Sequence, residues 1–337
     1  HLAILRRIII MSLPVFLTGC FEDFTPDTDI EPVLCLNSLI TAGEPIVVQV
    51  SHTWLFTDED KSRDHSVRDA VVSVFVNGEP RDAAYLPQEG DHIRITAESK
   101  TYGYAEAEVT VPYAVPIEAV RWEPVLTSRL SDDIEGYEMT GHFLFNIKAE
   151  LDINDSAGTE DYYRFSYLSF NDRANWDNNI CSAFTSEPEV SFDMGTFSYE
   201  SEPIFSEHIG VFESVMGSSA YGFTFFTDRQ FSGSEYTLHI HYTDCEYYVE
   251  SRQWKPELLN CGYEFTLHTI SKSYYDWANY MWQRDDGPLG DISEFGFGDP
   301  IWGYSNVSTG AGVVAAQSYL SCRIYLNDFL DTVLKEQ

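Results

Sequence analysis

The side chains of this chain that could hold an ion or attack a bond fall in a few places. His239 and His241 alternate along Thr237–Tyr242, so in an extended strand they share one face and Leu238, Ile240 and Tyr242 take the other. The run Tyr263–His268 turns Phe265 and Leu267 to one side and His268 to the opposite one. If the two apolar faces pair, His239, His241 and His268 collect on one outer face, where three imidazoles could take a zinc-like ion. Exposed histidines are the plainer reading, and neither a metal nor a cofactor is expected. Cys245 and Cys261 stand near the facing ends of the same two runs and could close the loop Glu246–Asn260 as a disulfide. Cys245 shares the histidine parity and Cys261 the apolar parity, so that bridge needs a twist or bulge at a strand end.

Asp152-Ile153-Asn154-Asp155-Ser156-Ala157-Gly158 gathers hard oxygen donors of the kind Ca²⁺ takes. The EF-hand pattern fails, because Gly158 falls one position late and the closing Glu is missing. The stretch reads as an Asp/Asn/Gly turn between strands. Gly217-Ser218-Ser219 and Gly233-Ser234 lack the strand–turn–helix elbow of a serine nucleophile. With 54 acidic residues, any pair chosen as a glycosidase dyad is uninformative. Gly310-Ala311-Gly312 has no phosphate-loop pattern and no basic companion, and reads as close backbone packing. The chain is therefore expected to be non-enzymatic.

Strands must position most of these residues. Runs at Val33–Ile40, Pro45–Ser51, Ala70–Val76, His92–Ala97 and Ala105–Val111 are short, separated by turns, and include Asn77-Gly78, a hairpin signal. They predict an Ig-like β-sandwich over 32–115. Pro112 and Pro116 mark the exit. Residues 116–337 predict a larger β-rich domain, with strands at Phe143–Leu151, Tyr162–Phe170, Phe223–Thr227, Tyr236–Thr243 and Tyr263–His268. One short helix follows: Ser271 can cap it, and Tyr274, Trp277, Ala278 and Met281 recur at helical spacing.

Composition bounds the function. A net charge of −34 repels phosphates, so nucleic-acid binding is not expected. Aromatics at 15 %, with 21 Gly and 14 Pro, suit folded β structure rather than disorder. The 6 cysteines show no CxxC pair and no zinc spacing. Cys35 sits in the apolar run Val33–Leu36 and is expected to be a buried thiol.

At the start of the chain, Arg6 and Arg7 precede an apolar run, Ile8–Leu17, too short to span a bilayer, which needs about 20 residues. Leu17-Thr18-Gly19-Cys20 resembles the lipobox of bacterial lipoproteins. That resemblance implies a signal peptide over 1–19, lipidation of Cys20, and a tether over 20–31. Glu22 and Asp23, just after the cysteine, resemble a surface-export signal of Bacteroidetes lipoproteins. Farther along, "EPVLCLNSLITAGEPIVVQVSHT" (Glu31–Thr53), "DAVVSVFVNGE" (Asp69–Glu79), "DSAGTEDYYRFSY" (Asp155–Tyr167), "TISKSYYDWANYMW" (Thr269–Trp282) and "GDPIWGYSNVSTGAGVVAA" (Gly298–Ala316) occur in order. Together they resemble a family of Bacteroidetes outer-membrane lipoproteins known as domain of unknown function 4249.

The resemblance implies a β-rich protein often encoded beside a TonB-dependent transporter, and with the lipobox a cell-surface protein held to the outer membrane by its lipid. The expected function is an accessory or ligand-binding partner in nutrient uptake; a surface hydrolase or an adhesin-like structural module is the alternative. Trp176, Trp254, Trp302 and Tyr304 fall in irregular segments of the second domain and are the contact candidates. The first domain has the economy of a spacer.

Overall fold

Alternation of apolar and polar residues produces the strands, and their pairing is nonlocal. A computed structural model describes residues 31–54, 64–82, 84–130, 139–155, 158–171, 202–208, 225–250, 261–285, 303–329 and 332. The protein is mainly β. In chain order the strands are β1 (Leu34–Thr41), β2 (Gln49–His52), β3 (Val71–Val76), β4 (Glu79–Arg81), β5 (His92–Ser99), β6 (Gly103–Thr110) and β7 (Ile117–Leu130). They continue with β8 (Met139–Asn154), β9 (Tyr162–Asn171), β10 (Phe225–Thr227), β11 (Glu235–Glu250), β12 (Cys261–Ile270) and β13 (Ala311–Tyr325). Helix α1 spans Lys272–Asp285. Short 3-10 turns cover Pro203–His208 and Asp228–Gln230.

Three sheets form. The large one runs β10-β9-β12-β13-β1-β2, a second β11-β8-β7, and a third β4-β3-β5-β6. The β3–β4 hairpin turns on Asn77 (φ 53) and Gly78 (φ 85), the left-handed pair that a two-residue type I′ loop demands. The two prolines inside strands stand where a missing N–H is tolerated: Pro80 on the edge strand β4 and Pro124 on the edge strand β7.

One face of the large sheet buries two cores. At the β1 end, Leu36, Ile40, Val314 and Ala316 pack with Val74, Ile93, Ile95 and Ala107 of the four-stranded sheet. At the β9 and β12 end, Tyr163, Phe165, Phe265 and Leu267 pack with Phe145, Ile147, Leu238 and Ile240 of the three-stranded sheet. On the opposite face, Tyr162, Ile270 and Ala315 receive Tyr274 and Tyr275 of α1.

The strand that joins these regions is β13. It runs parallel to β1, with Leu36 opposite Gly312 and Ile40 opposite Ala316, and antiparallel to β12, with Leu267 opposite Leu320. The sequence suggests a boundary near residue 115, yet β1 and β2 from one side of it are bonded into a sheet with β9, β10, β12 and β13 from the other. The four-stranded sheet finds its facing layer in β1 and β13 together. All three sheets belong to one compact unit of Val33–Thr53 and Asp64–Gln337; a second, His1–Pro32 with Trp54–Arg63, lies almost wholly outside the described residues.

Candidate functional site

The three histidines do not meet. β11 pairs with β8, whereas β12 pairs with β9 and β13. The apolar faces do oppose each other, as expected, but across the core between two stacked sheets rather than side by side in one sheet. His239 and His241 therefore lie on the outer side of one sheet and His268 on the outer side of the other, separated by both layers. His239 is instead tied to Glu202, a buried carboxylate. Its backbone N–H donates to Glu202 Oε1 at 2.7 Å, its Nδ1 stands 3.1 Å from the same oxygen, and the Tyr236 hydroxyl donates to Oε2 at 2.7 Å.

His268 has Ser166 Oγ 3.0 Å from its Nε2 and the Tyr319 ring 5.4 Å away, centre to centre. Burial, then the charge of Arg164, hold its pKa down at about 4, and Gln317 offsets only part of this. A serine–histidine contact of this length fits a nucleophile and base, but a base that weak is poorly matched to neutral pH. A triad also needs a third group to orient the ring. Nδ1 is buried without a well-formed hydrogen bond among the described residues.

Cys245 stands opposite Phe145 in the β11–β8 ladder, and Cys261 opens β12 opposite Asn171. A register shift between Tyr242 and Cys245 changes the parity on which the alternation argument relied. The side chains of both cysteines lie outside the described residues. Cys35 and Cys322 are free and half-buried; burial pushes both thiols up, Cys322 to about 11. Such thiols are poor nucleophiles. Cys20, Trp176, Trp254 and Trp302 lie outside the described residues. Tyr304 is half-buried near α1, its hydroxyl pushed up to about 12 by burial and then by the charge of Asp276.

The acidic loop divides. Asp152 accepts from the Thr237 hydroxyl at 2.7 Å across the β8–β11 ladder. Asp155 turns away from it, to the Tyr163 hydroxyl and the Gly233 N–H.

A groove opens between α1 and the β1–β2 edge. Its volume is about 500 Å³, and Leu39, Val47, Gln49, Tyr274, Trp277 and Val313 are among its lining residues. Leu39 and Val47 are 44 % and 65 % exposed, although both are large and apolar. The helix that forms the wall is pinned at its start. Ser271 Oγ accepts from Tyr274 N at 3.3 Å and from Ala316 N at 3.0 Å, and Ser273 Oγ donates to Val314 O at 3.0 Å. Ser271 caps α1, as its sequence predicts, and fixes it to β13 as well. On the floor, Asn37 Oδ1 accepts from Val313 N at 3.1 Å.

A family model for a domain of unknown function, DUF4249, matches residues 22–323. The chain belongs to the DUF4249 family. No curated protein and no solved structure matches it significantly. The match covers every strand from β1 to β12 and most of β13, so both walls of the groove lie within the DUF4249 region. The sequence places Tyr274 and Trp277 at helical spacing on one stripe. It does not mark Leu39 and Val47 as their counterparts, because that pairing depends on β1 lying beside β13.

Proposed function

We propose that this DUF4249 chain is a non-enzymatic binding module of the bacterial outer surface. In this reading it is anchored through lipid on Cys20 and serves as an accessory to a TonB-dependent nutrient transporter. The anchor is supported by the order of basic, apolar and small residues before Cys20 and by the acids after it. Binding is supported by one observation above the others, the groove between α1 and the β1–β2 edge. Its size falls within the roughly 300–1,000 Å³ of small-molecule sites, and aromatic and aliphatic walls with a few polar groups suit a flat apolar group, such as an aromatic side chain that the transporter presents. Trp277 is the anchor, because a half-buried indole offers a large apolar face at low entropic cost.

The test has two parts. Cys20→Ala releases the protein into soluble fractions, and protease added to intact cells digests the wild type. Trp277→Ala, checked for an unchanged melting midpoint, weakens co-purification with the outer-membrane transporter by about tenfold, or ~1.4 kcal/mol. Full protection from external protease removes the surface assignment. Equal recovery of the transporter with wild type and variant removes the groove as the contact.

A further inference from the structure

Three carboxylates converge where the β8–β9 turn meets the β10–β11 connection. Asp155 follows β8, Asp161 precedes β9, and Asp228 follows β10. One oxygen from each lies within 4.8 Å of the others. The backbone holds them there: Asp228 N donates to Asp161 O at 3.1 Å, and Asp155 N to Ser234 O at 3.4 Å. Asp155 accepts from the Tyr163 hydroxyl on one oxygen and from Gly233 N at 2.7 Å on the other. Asp161 Oδ2 accepts from the Thr159 hydroxyl at 2.8 Å.

Asp228 is the informative member. It is 2 % exposed, and its Oδ2 is buried without a hydrogen-bond partner. A carboxylate oxygen in that position is costly unless something pairs with it. Arg229, the next residue, forks onto Glu160 at 3.1 and 3.3 Å. The cluster as it stands repels itself.

We propose that Asp155, Asp161 and Asp228 bind Ca²⁺, with the buried Asp228 Oδ2 as the ligand atom that otherwise has no partner. All donors are hard oxygens. Three atoms no more than 4.8 Å apart have a common centre within about 2.8 Å of each, close to the 2.3–2.6 Å of a Ca²⁺–oxygen bond. Mg²⁺, at 2.0–2.1 Å in a rigid octahedron, requires a larger contraction. Three carboxylates supply three to six oxygens and water completes the six to eight that Ca²⁺ takes. The bound ion cross-links the β8–β9 turn to the connection that leads into β11. The oxygen-rich run Asp152–Gly158 contributes only Asp155; Asp161 lies beyond it and Asp228 is remote in sequence, so no local pattern contains the whole site.

The full chain, stripped with chelator, is titrated separately with Ca²⁺ and Mg²⁺ while the melting midpoint is followed. Terbium emission excited through Tyr163 reports occupancy directly, and Ca²⁺ should displace it. The expected result is a saturable rise in midpoint with Ca²⁺ in the range of about 0.1–1 mM that extracellular sites show, and little response to Mg²⁺. Asp228→Asn weakens the Ca²⁺ response about tenfold or more, yet its metal-free midpoint equals or exceeds that of the wild type, because one buried like charge is gone. If Asp228→Asn does not fold, the half-buried Asp161→Asn carries the same test. No terbium emission and no Ca²⁺ shift up to about 10 mM overturns the site, as does a variant with undiminished Ca²⁺ dependence.

Discussion

Protonating His268 costs the folded chain more than the unfolded one. Its folded pKa is about 4 against an ordinary 6.5, the result of burial and then of Arg164. Between those values the unfolded chain binds a proton that the folded chain refuses, so stability rises with pH across that window and is fully present above 6.5. The difference amounts to at most about 3 kcal/mol. Urea unfolding of wild type and His268→Gln at pH 7 and pH 4.5 should show the wild type losing about 2 kcal/mol more than the variant on acidification. Equal losses would mean that the imidazole is not held neutral by its surroundings. This residue also marks how far single side chains are legible in the sequence. Alternation correctly placed His239 and His241 opposite Leu238 and Ile240, and His268 opposite Phe265 and Leu267. Their failure to meet is a property of strand pairing, which local alternation does not encode.

At the scale of elements, the strand easiest to read is β5, where Ile93, Ile95 and Ala97 are buried between the outward-facing His92, Arg94, Thr96 and Glu98. Harder to read was β13, which begins Ala311-Gly312-Val313-Val314-Ala315-Ala316 and carries five consecutive buried residues, Val314–Ser318. A strand covered on both faces loses its alternation, and Gly and Ala weaken the propensity signal further. β7 was hidden by Pro124, which an edge strand accepts. The glycines, in contrast, were read correctly as sites of close backbone approach. A Cβ on Gly310 would stand 2.5 Å from Leu34 O, and one on Gly312 would stand 2.1 Å from Leu36 O. Gly312 also has φ +108, which L side chains rarely adopt. Gly312→Ala must therefore part β1 from β13 or abandon its own conformation, at a cost of about 2 kcal/mol or more. A shift in the denaturant midpoint with unchanged m-value measures it. A variant as stable as wild type would show that the parallel pairing is looser than its register implies.

For the whole molecule, the question is whether residues 32–115 can stand alone, as the turn-rich run of short strands and the flanking prolines suggested. Their four-stranded sheet covers Ile93, Ile95 and Ala97 with a second layer of which only β1 and β2 come from the same stretch. Cut at 115, that layer becomes a two-stranded ribbon, which is marginal in water. It also loses Val307, Val314 and Ala316, which fill the same core from the far end of the chain. Uncovering Val314 and its neighbours removes roughly 1.5–3 kcal/mol for each large side chain, a substantial part of the 5–15 kcal/mol that holds a domain together. The remainder, 116–337, fares no better, because β13 becomes an open edge along its first seven residues, those now opposite Cys35–Thr41. Neither piece should unfold cooperatively by itself, whereas the intact chain should show one transition for both cores. Circular dichroism melts of 32–115, 116–337 and the full chain decide this. A sharp transition in the 32–115 fragment, at a midpoint near that of the whole, would establish an independent first domain. The contribution of β1 to the groove would then be that of one domain docked on another rather than of a strand built into a shared sheet.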